Sequence, residues 1–178
     1  ADSAFAFACN AGNELTVASS FAIDFLAPGQ LGDLLEARCT EVLRAGRILL
    51  VDDHPRSASR LVEVISKSHD VFVERDPNAA LIKLAEHNFD LLIVSLSLSN
   101  ADGLRLCSQV RSLDRTRHLP IVILVEPGDE ARLLRGMDMG VNDYLIRPID
   151  RHELLARIKT QIKRKRFTDY LRNRLEES

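Results

Sequence analysis

The stretch DLLIVSLSLSNADG, Asp90–Gly103, decides the reading of this chain. Leu91 to Val94 are apolar without a break, and the run closes on the hydroxyl of Ser95. Asn100 and the pair Asp102–Gly103 are turn residues, so the segment reads as a buried strand breaking into a loop. The same logic extends outward from Gly46. RILLVDD, DVFVER, LPIVILVE and VNDYLI are further short apolar runs. Between and after them lie SASRLVEVISKS, NAALIKLAEHN, DGLRLCSQVRSL, GDEARLLRGMDMG and a long C-terminal stretch, all with helical spacing. Strand and helix therefore alternate five times. Strands apolar throughout are buried on both faces, which predicts an α/β fold with a parallel sheet between helices.

Composition fits a globular protein and narrows its functions. Of 178 residues, 46% are hydrophobic and 28% charged, with a net charge of −2. No global basic excess and no Trp favour a nucleic-acid surface, so neither nucleic acid nor a metal cluster of scattered histidines is expected. The cysteines Cys9, Cys39 and Cys107 form no CxxC pair, which fits a reducing cytoplasm. Cys107 falls in the apolar series Leu104, Cys107, Val110 and is expected in the core. No run of about 18 apolar residues predicts a membrane span. The N-terminus lacks a basic segment before Arg38, so no signal peptide is expected.

Three segments are distinguished. Residues 1–45 form an appendage or linker. The first 46 residues hold six acids against Arg38 and Arg44, a net of −4, and only Leu31, Leu34, Leu35 and Leu43 have helical spacing there. Residues 46–162 hold the alternating pattern. Residues 163–178 extend the last helix beyond what a five-stranded sheet needs. In that extension KRKR, Lys163–Arg166, reads as a solvated face, while Phe167, Tyr170, Leu171 and Leu175 resume an apolar stripe suited to a partner helix. Asp150 and Glu153 have capping-box spacing at the start of the same helix.

Ligands of doubly wound sheets sit beyond the carboxyl ends of the strands, at the switch point. For the order 2-1-3-4-5 that corner receives Asp52, Asp53 and Ser95, with Val125 and Arg147 from the last two strands. Adjacent carboxylates there suit a hard cation, or else a solvated turn or the cap of the next helix. No glycine-rich phosphate loop follows the first strand, which disfavours a nucleotide.

At this point ILLVDD, DLLIVS…NADG, LPIVILV and GVNDYLIRPID together resemble the response-regulator receiver domain, over residues 46–166. The resemblance implies a flavodoxin-like, five-stranded parallel fold. It implies phosphoryl transfer from a histidine kinase onto a strand-three aspartate. Mg²⁺ would be held by that aspartate, the strand-one acids and a carbonyl, with a Thr or Ser and a Lys contacting the phosphoryl oxygens. Carried over residue by residue, Asp52 and Asp53 keep the acid pair, whereas Ser95 stands at the acceptor, Val125 at the Thr/Ser position and Arg147 at the lysine. Tyr144 matches the aromatic switch and Pro148 the proline after the lysine.

Each departure weakens the family's chemistry. A serine hydroxyl is neutral and needs a base, and it removes a negative ligand from the cation, so Mg²⁺ binding is expected to be weak or vestigial and no cofactor is required. Val125 cannot hydrogen-bond a phosphoryl oxygen. Arg147 keeps the charge in a larger, forked group and is expected to pair with Asp52 or Asp53.

The tail RPIDRHELLARIKTQIKRKRFTDYLRNRLEES is similar to the end of the second, degenerate receiver of PleD-type regulators, whose output domain is a diguanylate cyclase. That resemblance implies a non-phosphorylated pseudo-receiver, dimerising or docking on another receiver and passing geometry to an output domain. With no GG[DE]EF sequence in the chain, no enzyme activity is expected. A still-active receiver with unusual acceptor chemistry is the alternative. A receiver cut from a DNA-binding domain is a third.

Overall fold

The computed structural model describes residues 45–176, with the side chains of residues 45–175. The helix expected around Leu31–Leu43, Cys9 and Cys39 lie outside the described residues. The elements are β1 (Arg47–Val51), α1 (Pro55–Ile65), β2 (Asp70–Glu74), α2 (Pro77–Glu86), β3 (Leu91–Ser95), α3 (Gly103–Ser112), β4 (Ile121–Val125), α4 (Glu130–Asp138), β5 (Asp143–Ile146) and α5 (Arg151–Glu176). The five strands form one parallel sheet in the order β2-β1-β3-β4-β5.

Both faces of the central strands are covered, as their unbroken apolar runs require. Leu49, Val51, Leu92, Val94, Ile121 and Ile123 pack on one side with Ala80, Leu84, Leu106 and Val110 from α2 and α3. Ile48, Leu50, Ile93 and Leu124 pack on the other with Leu61 and Ile65 of α1 and Leu154, Ile158 and Ile162 of α5. Cys107 is fully buried in the first cluster, and burial pushes its thiol up to about 12. It is a core residue without thiolate reactivity.

The helix starts follow local chemistry. Pro55 and Pro77 occupy first-turn positions, where a missing N–H is tolerated. Asp76 accepts from the Ala79 N–H and Asp102 from the Leu104 N–H, capping α2 and α3. The capping-box expectation on α5 is half met. Asp150 accepts from the Glu153 N–H at 2.9 Å, but the Glu153 side chain turns to Arg157 instead. Gly140, at φ +86°, ends the turn after α4, a conformation that favours glycine.

Candidate functional site

The carboxyl ends of β1, β3, β4 and β5 converge on one corner. Parallel pairing sets Val51 beside Val94, Ser95 beside Leu124 and Val125 beside Ile146, so the residue after each strand end reaches the same rim. Asp52 is fully buried there and Ser95 nearly so. Val125 is buried in the apolar cluster and offers the corner no polar atom. Arg147 is held at the end of β5 by its N–H bond to the Val125 carbonyl, 2.9 Å, ahead of a cis bond to Pro148.

Arg147 spans the corner. One terminal nitrogen lies 3.2 Å from Asp52 Oδ2, and the other donates to Ser57 Oγ at 2.6 Å. Ser57 in turn donates to Asp52 Oδ2 at 2.6 Å, closing a three-membered ring of contacts. Arg147 Nε is 2.9 Å from Glu126 Oε1, an ion pair without the alignment of a hydrogen bond. The expected pairing of Arg147 with the acid pair is present, to Asp52. Ser57 and Glu126 were not among the expected site residues.

The remaining carboxylate oxygens are also engaged. Asp52 Oδ1 accepts from the His54 N–H at 3.1 Å and faces His54 Nδ1 at 3.3 Å. Asp53 Oδ2 accepts from the Ser99 N–H at 2.6 Å, and Asp53 Oδ1 lies 3.1 Å from His54 Nδ1. Burial works to raise the Asp53 pKa, but hydrogen bonds from Ser99 and the His54 charge outweigh it and hold the carboxyl below its ordinary value.

A second arginine ties the neighbouring loops. Arg132 of α4 donates to the Leu96 carbonyl at 2.7 Å and Asp102 at 2.8 Å, both beyond β3. It also reaches Asp129 at 3.2 Å, ahead of α4. Asp102 therefore does more than turn the loop. Burial would raise its pKa, but the Arg132 hydrogen bond, the Leu104 N–H and the charges of Arg132 and Arg135 hold it low.

The expected switch and interface residues lie elsewhere. Tyr144 and Ile146 alternate with buried Leu145 on edge strand β5, opposite Ile123 and Val125, and both are exposed. Leu134 and Met137 of α4 are exposed as well. Along α5, Ile162 is the last buried apolar residue, and Phe167, Tyr170, Leu171 and Leu175 all face solvent. Asp143 fixes α5 to the sheet edge through two 3.1 Å contacts from Arg157.

The response regulator receiver domain model matches residues 48–159. The chain belongs to this family. The receiver also resembles response regulator PleD of Caulobacter vibrioides, at 48% identity over 133 residues, covering 75% of this chain and 29% of that protein. Response regulator ArlR of Staphylococcus aureus is 33% identical over 126 residues, 70% of this chain and 56% of that protein. The chain thus spans under two thirds of these relatives. Among solved structures, a response regulator from Chloroflexus aurantiacus matches with TM-score 0.65 at 31% identity, over 67% of this chain and 99% of that one. The receiver domain of a sensor histidine kinase from Pseudomonas aeruginosa, solved with magnesium in its active site cleft, matches with TM-score 0.62 at 25% identity over 67% of this chain and 99% of that one. A thioesterase superfamily model also matches residues 1–52, of which only the last eight are among the described residues. No described helix is long and apolar enough to cross a membrane.

The Pseudomonas receiver holds magnesium in its active site cleft. Here Asp52, Asp53 and His54 bring one ligand atom each within 4.8 Å of one another. The set departs from an all-oxygen Mg²⁺ site. Ser95 supplies no charge, Asp52 Oδ2 is taken by a guanidinium and a hydroxyl, and the third side-chain donor is a nitrogen.

Proposed function

We propose that this receiver is degenerate: a non-phosphorylated adaptor over residues 46–162 that dimerises or docks on another receiver and relays that geometry along α5 to an output domain. One observation carries the reading. Arg147, just after β5, satisfies Asp52 together with Ser57 and reaches Glu126, at a corner whose acceptor position holds a serine. Phosphoryl transfer to this corner needs an ionised nucleophile and a free cation partner. Ser95 is not the first, and Arg147 is already committed. Binding of Mg²⁺ at Asp52 and Asp53 is weak, since the ion competes with a fixed positive charge.

The adaptor half of the reading rests on the surface. Tyr144, Leu134 and Met137 expose apolar area on one edge of the domain, and α5 carries its apolar stripe past the last residue it buries. Because Asp143 and Arg157 pin α5 to β5, a partner seated on that edge sets the direction in which residues 163–176 leave the domain. In keeping with the tail's resemblance to PleD-type regulators, the parent carries a diguanylate cyclase as its output domain, assembles as a homodimer and works in the cytoplasm.

Light scattering across concentration, with and without acetyl phosphate and Mg²⁺, separates the two readings. An adaptor associates equally in both conditions, and Leu171→Glu weakens the association. Association that appears only with acetyl phosphate belongs to an active receiver and would overturn the proposal.

A further inference from the structure

We infer that the opposite end of the sheet, below the amino ends of β3 and β4, holds a binding site for a small oxyanion of the phosphate class, gripped between Arg115 of the α3–β4 loop and Arg172 of α5.

The site is a cavity of about 110 Å³ where three pieces of chain meet. Asn88 and Phe89 come from the turn before β3, Arg115 and His118 from the loop before β4, and Lys165, Asp169 and Arg172 from α5. The space is several times the roughly 30 Å³ of liquid that one water takes up. Lys165, Asp169 and Arg172 recur at i, i+4 and i+7 and are half-buried, while Phe167 and Tyr170 are exposed, so this is the face that the α5 extension turns to the domain. Leu84, Phe89 and Leu119 are buried and form an apolar floor, which strengthens charge interactions above it.

Charge at the cavity is out of balance. Asp169 is paired with Lys165, which also lies 3.9 Å from Asp90. Arg172 reaches Asp169 only at 3.9 Å. Arg115 meets no carboxylate among the described residues and donates to the Asn88 amide oxygen at 3.2 Å. His118 Nε2 accepts from Arg117 Nε at 3.1 Å, so the imidazole is neutral. Burial and the charges of Arg172, Arg117 and Arg111 hold its pKa below the ordinary value, against the opposing pull of Asp169. Two guanidiniums thus line one cavity with too little negative charge between them. Their forks match the oxygens of a phosphate in charge-assisted hydrogen bonds, and the Asn88 amide adds N–H donors at the wall. A net charge of −2 leaves no broad basic surface for a polyanion, so the cavity selects a small ligand. None of these residues belongs to the acid corner, so phosphorylation there would overturn the adaptor reading and leave this site standing.

The test is NMR titration of the isotopically labelled full chain with sodium phosphate and, separately, sodium diphosphate, with ionic strength held by NaCl. Saturable shifts are expected at Asn88, Arg115–Leu119 and Lys165–Arg172, and the His118 ring should titrate at higher pH once the anion offsets the neighbouring arginines. Saturation by phosphate at equal affinity assigns a single phosphoryl group, and tighter binding of diphosphate assigns a diphosphate-bearing ligand. Arg115→Gln and Arg172→Gln should each weaken binding by at least about 10-fold, the scale of a charge-assisted hydrogen bond. Asp169→Asn should tighten it by about 5-fold, the scale of one unit charge at about 4 Å in water, a gain that a misfolded variant cannot produce. Shifts that saturate with neither anion, equal affinity in all four chains, weaker binding by Asp169→Asn, or saturable shifts confined to the acid corner would each overturn the assignment.

Discussion

Arg147→Met removes the guanidinium while keeping an unbranched side chain of similar reach. At 3.2 Å the Arg147–Asp52 attraction is worth about 5 kcal/mol at an effective dielectric of 20, before desolvation is subtracted. The variant does not simply lose that figure. It leaves a fully buried carboxylate whose charge is uncompensated, a change that typically costs about 3–5 kcal/mol. Ser57 Oγ and the His54 N–H still bond Asp52, and Arg147 is 18% exposed, so the lower end applies, about 3 kcal/mol. That corresponds to a fall in Tm of roughly 6–12 °C for a chain of this size. Urea unfolding followed by circular dichroism reads the change as a shift in midpoint at constant slope. The variant should also gain a stabilisation by millimolar Mg²⁺ that the wild type lacks, because the ion then replaces the missing charge. Paired with Asp52→Asn, a double-mutant cycle should return a coupling of more than about 1 kcal/mol. A loss below about 0.5 kcal/mol, the scale of an ordinary surface substitution, would refute the idea that Arg147 neutralises the corner.

Arg132→Ala should raise the Asp102 pKa toward the ordinary carboxylate value, read by NMR titration, and speed amide exchange across Leu96–Asp102. Because the folded Asp102 pKa lies below its unfolded value, the stability this pair contributes is present above about pH 4 and is lost as pH falls through the folded value. Thermal melts at pH 6 and pH 3 on both chains check that sign. Gly103→Ala should destabilise by about 1–3 kcal/mol, since its Cβ would stand 2.4 Å from the Ser95 carbonyl oxygen. Leu171→Glu should leave the melting temperature almost unchanged while lowering self-association, because Leu171 is exposed on α5 and covers no core.

Much of the architecture was legible because it rests on local patterns. Unbroken apolar strands could only be buried on both faces, and the helical spacing of Leu61, Ile65, Leu84 and Val110 marked sheet-facing stripes that the fold uses. Asp52, Asp53, Ser95 and Arg147 were placed together by the strand ends alone. What stayed hidden depends on side chains distant in sequence. Arg147 meets Ser57 across 90 positions, and Arg132 meets Leu96 across 36. No spacing rule reports such pairs. His54 was hidden for a different reason. One histidine beside two acids looks like a turn until its ring nitrogen is seen between their oxygens. Glu126 had one usable signal, a charge directly after the β4 position where the family carries a hydroxyl.

Whether this corner accepts a phosphoryl group is read most directly by intact-mass spectrometry of the chain after incubation with acetyl phosphate and Mg²⁺. A degenerate corner leaves the mass unchanged. A phosphoryl adduct removed by hydroxylamine, the behaviour of an acyl phosphate, would contradict it.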